Sequence, residues 1–189
     1  MGLLLAAGRG RRFDGTGERN KLRQLLPDGR MVAAAAAANL LAGVHRVVAV
    51  VRADAHLLAD ELTTLGCETI ICDHADDGMA ASLVTALTHT ADAGGWVIAL
   101  ADMPHVKPAT VAALAAAVRA GADIAVPTCR GQRGNPVAFG PLHLPQLLAL
   151  AGDCGARRLL QQSVVTEIAV DDPGIHQDID DPADLQRLA

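Results

Sequence analysis

Aromatic side chains are nearly absent from this sequence: they make up 2% of the residues, with one Trp, two Phe and no Tyr. Hydrophobic residues nevertheless account for 51% of the chain. The core must therefore be built from Ala, Leu and Val, which suits Ala-rich helices packed on strands rich in Val and Ile. A length of 189 residues is typical of one domain, so we expect residues 1–189 to form a single domain.

Cysteine is scarce, and its spacing matches no known framework. The chain has four cysteines with no CxxC pair and no histidine cluster beside them, namely Cys67, Cys72, Cys129 and Cys154. This pattern argues against a zinc site and against a disulfide framework. We expect all four to be small buried side chains of a reduced, cytoplasmic protein.

Long apolar runs and a surplus of positive charge are also missing. No run reaches the roughly 18 apolar residues that a membrane-spanning helix needs. The short opening "MGLLLAAG" is followed at once by arginines, unlike a signal peptide. A net charge of -5 provides no general basic surface for nucleic acid. We therefore expect neither a membrane nor a nucleic acid as partner.

The basic residues that are present are concentrated near the start of the chain. Six of them fall between positions 9 and 23, namely Arg9, Arg11, Arg12, Arg19, Lys21 and Arg23. One basic loop in an acidic protein indicates a local anion site. Lys21 is distinctive, because Lys107 is the only other lysine and the remaining basic residues are arginine.

Apolar runs alternate with helical stretches along the chain. The predicted strands are residues 2–6, 46–51, 67–72, 96–101, 123–127 and 164–170. The predicted helices are residues 31–42, 53–65, 79–91, 108–120, 142–150 and 154–162, with a last short one within 181–189. This alternation predicts an α/β fold, a three-layer αβα sandwich with a mostly parallel sheet. Residues 134–140, "GNPVAFG", break the rhythm and predict an antiparallel element.

The loop after the first strand, "LLLAAGRGRRFDGTGERNKL", was compared with phosphate-binding patterns. The dinucleotide pattern G-x-G-x-x-G fails, because Phe13 stands where the third glycine is needed. The P-loop pattern fails as well, because Thr16 stands where the lysine is needed. A third pattern fits: a strand ending in "LAAG", then x-G-x-R, and a lysine further along.

This third pattern has a physical rationale. Small residues at the strand end leave bare backbone that can contact a nucleobase, and Gly10 lets the loop amides face a triphosphate. Arg12 and Lys21 supply full positive charges to the phosphates. The nucleotide-binding candidates in this segment are Leu5, Ala6, Ala7, Gly8 and Gly10. A solvated basic surface loop is the alternative.

Carboxylates follow two other segments. Asp102 ends the buried strand "WVIALA", where an unpaired carboxylate is costly unless it binds a cation. It is our candidate Mg²⁺ ligand, with a helix cap as the alternative.

In "DID", Asp178 and Asp180 are expected to point the same way, with Ile179 in the core. We take Asp178 as the second metal ligand and leave Asp180 open, while Asp181 is expected to cap the last helix.

Three more segments supply candidate binding residues, each with capping or a tight turn as the structural alternative. The loop and helix start after the third strand add nucleotide-binding candidates, namely Asp73, Gly78 and Ser82. Two later segments add candidates for binding the acceptor, namely Gly134, Asn135, Pro136, Asp153 and Arg157.

In this order, the motifs resemble the MobA-like nucleotidyltransferase family, and most closely its molybdenum cofactor cytidylyltransferase branch. The motifs are "LAAGRGRR", Lys21-Leu22, "GMAASL", "LADMPHV", "RGNPVAFG", "GDCGARRLL" and "DIDDPADL". The resemblance implies a Rossmann-like fold and Mg²⁺ as cofactor. It also favours CTP, since the guanylyl-transferring branch typically shows "LAGG" where Ala7 stands here. The segment 13–20 is longer than the family's usual connection.

The resemblance implies that an acceptor phosphate attacks the α-phosphorus of the nucleotide and releases pyrophosphate. The implied catalytic residues are Arg12, Lys21 and Asp102, with Mg²⁺ on Asp102 and Asp178. The implied acceptor is molybdopterin or molybdenum cofactor, and the implied protein partner is a molybdoenzyme or its maturation chaperone. Guanylyl transfer from GTP, another phosphate or sugar-phosphate acceptor, and a non-catalytic delivery module remain alternatives. The intact set of Arg12, Lys21 and Asp102 argues against the last of these.

Overall fold

The alternation of apolar runs and Ala-rich stretches produces a sheet between two layers of helices. The computed structural model describes residues 1–10, 12–15, 19–152 and 156–187. The strands are β1 (Gly2–Leu5), β2 (Val47–Arg52), β3 (Glu68–Cys72), β4 (Trp96–Leu100), β5 (Ile124–Cys129), β6 (Gln132–Arg133), β7 (Val137–Phe139) and β8 (Thr166–Ala169). The α-helices are α1 (Val32–Gly43), α2 (His56–Thr64), α3 (Met79–His89), α4 (Pro108–Arg119), α5 (Leu144–Leu148), α6 (Arg157–Gln162) and α7 (Asp184–Arg187). Short 3-10 helices cover Lys21–Arg23, Ala75–Asp77, Pro141–His143 and Pro173–His176.

These strands form one sheet in the order β3-β2-β1-β4-β7-β5-β6, and β8 pairs with β5. The first four strands along this path are parallel to one another. β7 lies antiparallel between β4 and β5, which confirms the antiparallel element predicted at residues 134–140. In the parallel part, the carboxyl ends of the strands meet at one edge, where a ligand site is expected.

Each face of the sheet is covered by its own apolar cluster. Leu3 and Leu4 are fully buried and belong to different clusters, because successive residues of a strand point to opposite faces. One cluster includes Ala33, Ala36 and Ala37 of α1, and the other includes α3 residues with Trp96 and Phe139. The αβα layering and the aromatic-poor core are as predicted.

The structure corrects several element boundaries. The helix predicted over residues 142–150 is divided into the 3-10 turn Pro141–His143 and α5. Pro145 lacks an N–H and fits only in the first turn of a helix, so α5 begins at Leu144. The two-residue strand β6 and the 3-10 helices were not predicted.

Two further expectations concern the whole chain. Within the described ranges, no helix is long and apolar enough to cross a membrane. The cysteines that the structure describes, Cys67, Cys72 and Cys129, are buried and free, as expected. Cys154 lies outside the described residues.

Candidate active site

Three segments distant in sequence meet just beyond the carboxyl ends of β1 and β4. Asp102 follows β4, and its backbone oxygen accepts a 2.8 Å hydrogen bond from the N–H of Ile179. The Ile179 side chain is fully buried in a small cluster that also contains Phe13. Phe13 thus anchors the loop after β1 against the segment around Ile179. This anchoring brings Lys21 and Asp180 to Asp102.

Lys21 links the two carboxylates at this junction. Its Nζ lies 2.6 Å from Asp102 Oδ2 and 3.1 Å from Asp180 Oδ1, and the residue is only 8% exposed. Burial alone would lower the pKa of the ammonium, but the charges and hydrogen bonds of Asp102 and Asp180 outweigh it and raise the pKa. Lys21 is therefore a cation at neutral pH. Arg12, largely exposed, donates a hydrogen bond to Asp180 Oδ2.

Asp102 retains an unused acceptor. Its Oδ1 atom is buried and has no hydrogen-bond partner among the described residues, although the other carboxylate oxygen is held by Lys21. A buried oxygen of this kind is stabilised by a cation. The described residues contain no group of three or more His, Cys, Asp or Glu that could hold a metal. Mg²⁺, however, takes only one or two carboxylates together with substrate phosphates. Asp102 and Asp180 fit a cation of this kind.

The structure brings Asp180, and not Asp178, to this cluster. The "DID" pattern predicted a strand-like segment with Asp178 and Asp180 pointing the same way. Residues 177–180 form no strand, and the two aspartates lie in different environments. Asp178 is exposed, whereas Asp180 contacts Lys21 and Arg12. Asp181 Oδ1 accepts hydrogen bonds from Ala183 and Asp184 backbone N–H groups, as expected for a helix cap.

A cavity of about 350 Å³ opens beside Asp102. Five of the predicted nucleotide-binding residues line it, namely Leu5, Ala7, Gly8, Gly78 and Ser82. Ala6 instead faces a neighbouring cavity, Gly10 packs beside the Lys21 side chain, and Asp73 is exposed and outside the lining. The cavity wall also includes Arg9, one of the six clustered basic residues, and Asp76; neither was among the predicted nucleotide-binding residues.

Arg9 and Asp76 connect the loop after β1 to the loop after β3. Arg9 donates to both carboxylate oxygens of Asp76, with Nε at 2.6 Å and Nη2 at 2.5 Å. Arg52, at the end of β2, donates to the same oxygens at 3.0 and 3.2 Å. Hydrogen bonds from Arg9 and then Arg52 hold the pKa of Asp76 well below its usual value. The loop after β1, the end of β2 and the loop after β3 are therefore joined by one ion network.

A second cavity of about 770 Å³ adjoins the first, with Leu5, Met79 and Leu100 lining both. The predicted acceptor-binding residues Gly134 and Asn135 line it. Pro136 follows Asn135 through a cis peptide bond and lines a separate small cavity. The remaining predictions, Asp153 and the side chain of Arg157, lie outside the described residues.

Asp172 holds two segments of the site together, and it was not among the predicted site residues. Its carboxylate is 1% exposed and accepts hydrogen bonds from Lys107 N at 2.8 Å, Thr110 Oγ1 at 2.6 Å and Gly174 N at 3.0 Å. A Cβ on Gly174 would lie 2.2 Å from the backbone oxygen of His105, so only glycine fits there. Asp172 thus binds the segment leading to Asp180 onto the start of α4, just after the Asp102 loop.

The same segment also contacts the acceptor side of the site. Asn135 N donates to Ile175 O at 3.0 Å, and a Cβ on Gly134 would lie 2.4 Å from that oxygen. The segment from Asp172 to Asp180 therefore runs between the Asp102 loop and the turn at Gly134. This one segment of backbone therefore holds residues of both cavities in position.

One family model matches most of this chain. The model of the MobA-like NTP transferase domain matches residues 2–167. The chain belongs to the MobA-like NTP transferase family. It is therefore a nucleotidyltransferase of that family, and the resemblance found in its motifs is confirmed at this level.

Solved structures share this MobA-like fold over nearly the whole chain. Rv0371c from Mycobacterium tuberculosis is 27% identical with a TM-score of 0.84, over 99% of this chain and 96% of that one. Rv0371c has also been crystallised as a complex with manganese.

Two archaeal structures have the same Rossmann-like architecture. The nucleotidyl transferase Mth528 from Methanothermobacter is 24% identical with a TM-score of 0.82, over 99% of this chain and 94% of that one. Molybdopterin-guanine dinucleotide biosynthesis protein A from Archaeoglobus fulgidus is 24% identical with a TM-score of 0.69, over 99% and 96%. Comparison with curated protein sequences found no significant match.

Proposed function

We propose that this MobA-like chain transfers CMP from CTP to the phosphate group of molybdopterin or molybdenum cofactor and releases pyrophosphate. The observation that carries the proposal is the position of the Lys21–Asp102–Asp180 cluster. Asp102 lines the 350 Å³ cavity, and that cavity adjoins the 770 Å³ cavity next to it. A nucleotide in the first cavity and an acceptor in the second would meet beside the charged cluster.

The reaction requires the protein to position the two substrates and to supply positive charge. An anionic oxygen of the acceptor phosphate attacks the α-phosphorus, a new P–O bond forms, and the bond to the pyrophosphate oxygen breaks. Arg12 and Lys21 stabilise the negative charge that accumulates on the leaving pyrophosphate. An ionised phosphate has no proton to lose, so no general base is required.

Asp102 and Asp180 are the residues that would hold Mg²⁺ in this reaction. When bound, the metal would neutralise charge on the phosphates and polarise the α-phosphate. The unpartnered Oδ1 atom of Asp102 supports this assignment, because a cation would satisfy it. Lys21 contacts Asp102 Oδ2 and Asp180 Oδ1, so a metal at Asp102 Oδ1 would share both carboxylates with Lys21 and weaken their hold on its ammonium. We propose that Lys21 then turns towards the triphosphate.

The choice of nucleotide and acceptor rests on resemblance. Ala7 lines the nucleotide cavity, and the family branch with alanine at this position uses CTP. The ordered motifs support molybdopterin as acceptor, and the Archaeoglobus fulgidus protein of similar fold is named for molybdopterin-guanine dinucleotide biosynthesis.

Pyrophosphate release tests the proposal directly. The purified protein is incubated with Mg²⁺, molybdopterin and each of the four nucleoside triphosphates in turn. We expect release with CTP and a selective rise of the melting temperature with CTP. Release with GTP alone would mean that the protein transfers GMP from GTP and not CMP from CTP. Binding of CTP without release, even with sugar-phosphate acceptors, would favour a non-catalytic delivery module.

A further inference from the structure

The 770 Å³ cavity has an uneven distribution of polarity. Part of its lining is hydrocarbon and aromatic, contributed by buried and half-buried side chains that include Leu83, Ile98, Val126, Val137, Phe139 and Leu160. Its uncharged polar lining side chains are Asn135, Gln161 and Ser163. Among the side chains that the structure describes, Arg133 is the only charged one in the lining.

Within the part of the chain that the structure describes, Arg133 has one acidic partner, Glu167. Its strand, β6, pairs with one side of β5, while β8 with Glu167 also pairs with β5. Arg133 Nε and Nη2 lie 2.8 and 2.7 Å from the same oxygen, Glu167 Oε1. Both side chains are 49% exposed, so the pair is in contact with solvent. An exposed pair of this kind is worth little and exchanges readily for another anion.

The proposed reaction needs a cation on the acceptor side. The attacking phosphate is an anion, and it must approach a triphosphate that is itself negative. Lys21 and Arg12 are engaged by Asp102 and Asp180 and serve the nucleotide side. Arg133 is the described cation that reaches the other cavity, and its guanidinium suits a phosphate because two N–H groups can bind two oxygens.

We propose that Arg133 binds the acceptor's phosphate by exchanging Glu167 for it, and that the acceptor is a phosphate monoester whose body is uncharged and poor in hydroxyl groups. This inference rests on the proposed function, because it assigns the second cavity to the acceptor. The hydrocarbon wall favours such a body. A polyhydroxylated sugar phosphate would find hydrogen-bond partners among the described side chains of the lining only at Asn135, Gln161, Ser163 and Arg133, and each hydroxyl left against hydrocarbon is unfavourable.

Phenyl phosphate is a suitable probe, with ribose 5-phosphate as its hydroxyl-rich counterpart. Each is titrated by calorimetry into the nucleotide-free protein, since the chain alone forms the cavity. We expect phenyl phosphate to bind more tightly than ribose 5-phosphate. Arg133→Gln should weaken phenyl phosphate binding about tenfold or more, as the loss of a charge-assisted hydrogen bond predicts. Glu167→Gln should bind it at least as tightly as the wild type.

A matched control comes from just before β2, outside the lining of this cavity. Arg46 makes a similar exposed pair with Glu68, at 2.8 Å, so Arg46→Gln removes an equivalent charge and should leave binding unchanged. The proposal is overturned if phenyl phosphate fails to bind, if ribose 5-phosphate binds as tightly, if Arg133→Gln binds normally, or if Glu167→Gln binds more weakly. A parallel titration with CTP separates the two proposals, because failure of CTP to bind counts against the proposed function and not against Arg133.

Discussion

At the scale of single residues, Lys21 is the side chain whose surroundings say most about the chemistry. It is a buried cation between two carboxylates, in a chain whose other basic residues, apart from Lys107, are arginine. The compact ammonium of lysine fits between Asp102 and Asp180 and reaches both carboxylates.

Removal of this charge, or of its main partner, should abolish most of the activity. We expect Lys21→Ala and Asp102→Ala each to lower turnover about a hundredfold or more, as the loss of electrostatic transition-state stabilisation predicts. Pyrophosphate release under saturating CTP and acceptor measures this. Lys107→Ala is the matched control, because the Lys107 ammonium contacts only the backbone oxygen of Asp171 among the described residues. Near-normal release by Lys21→Ala would remove Lys21 from the catalytic set.

A second prediction separates the two acids of the "DID" motif. Asp180→Asn should raise the Mg²⁺ concentration needed for half-maximal turnover severalfold, because one metal ligand loses its charge. Asp178→Asn should leave that concentration unchanged, because Asp178 is exposed and away from Lys21. A Mg²⁺ titration of both variants decides between them. If only Asp178→Asn shifts the titration, our original assignment of Asp178 is the better one.

At the scale of elements, Asp172 joins parts of the chain that are 65 and 62 residues apart. Asp172→Ala would leave the Lys107 N–H and the Thr110 hydroxyl without their partner at the start of α4. We expect a loss of about 3 kcal/mol in the free energy of unfolding, the size expected when hydrogen bonds to a buried charge are removed. Urea denaturation measures this. The variant Asp171→Ala is the control and should unfold like the wild type, because Asp171 supplies only a backbone oxygen.

Elements with a strong apolar pattern were predictable from the sequence, and short elements were not. The buried strands β1, β2 and β4 and the helices α1, α3 and α4 carry patterns long enough to identify. β6 has two residues, and the 3-10 helices have three or four, so neither shows a period. Their positions depend on pairing with distant segments, which a local pattern does not contain.

The same distinction applies to the site. The residues in local motifs, such as Gly8, Gly78 and Asp102, do line one cavity. The Arg9–Asp76 pair joins residues 67 apart, and neither residue belongs to a motif that names the other. Arg133 stood inside the quoted "RGNPVAFG", but only the cavity with its neutral walls distinguishes it from other arginines. Ion pairs between residues distant in sequence, such as Arg9 and Asp76, could not be predicted from local motifs.

At the scale of the whole molecule, the core is made of small side chains packed on both faces of one sheet. Such a core leaves thiols deep among hydrocarbon. Cys67 follows α2 and is only 4% exposed, and desolvation raises the pKa of its thiol from 9.0 to about 11. The folded protein therefore keeps this proton at a pH where the unfolded chain releases it.

The sign of the resulting pH dependence follows from linkage. A group whose pKa is raised on folding contributes stability that is complete below its unfolded value, here 9.0, and is lost as pH rises towards about 11. We expect the free energy of unfolding, measured in urea under reducing conditions, to fall between pH 9 and pH 11. Cys67→Ala lacks this proton and should show a shallower decline. Equal slopes for the two proteins would mean that other groups, such as Lys21, whose pKa is also raised, account for the whole alkaline loss.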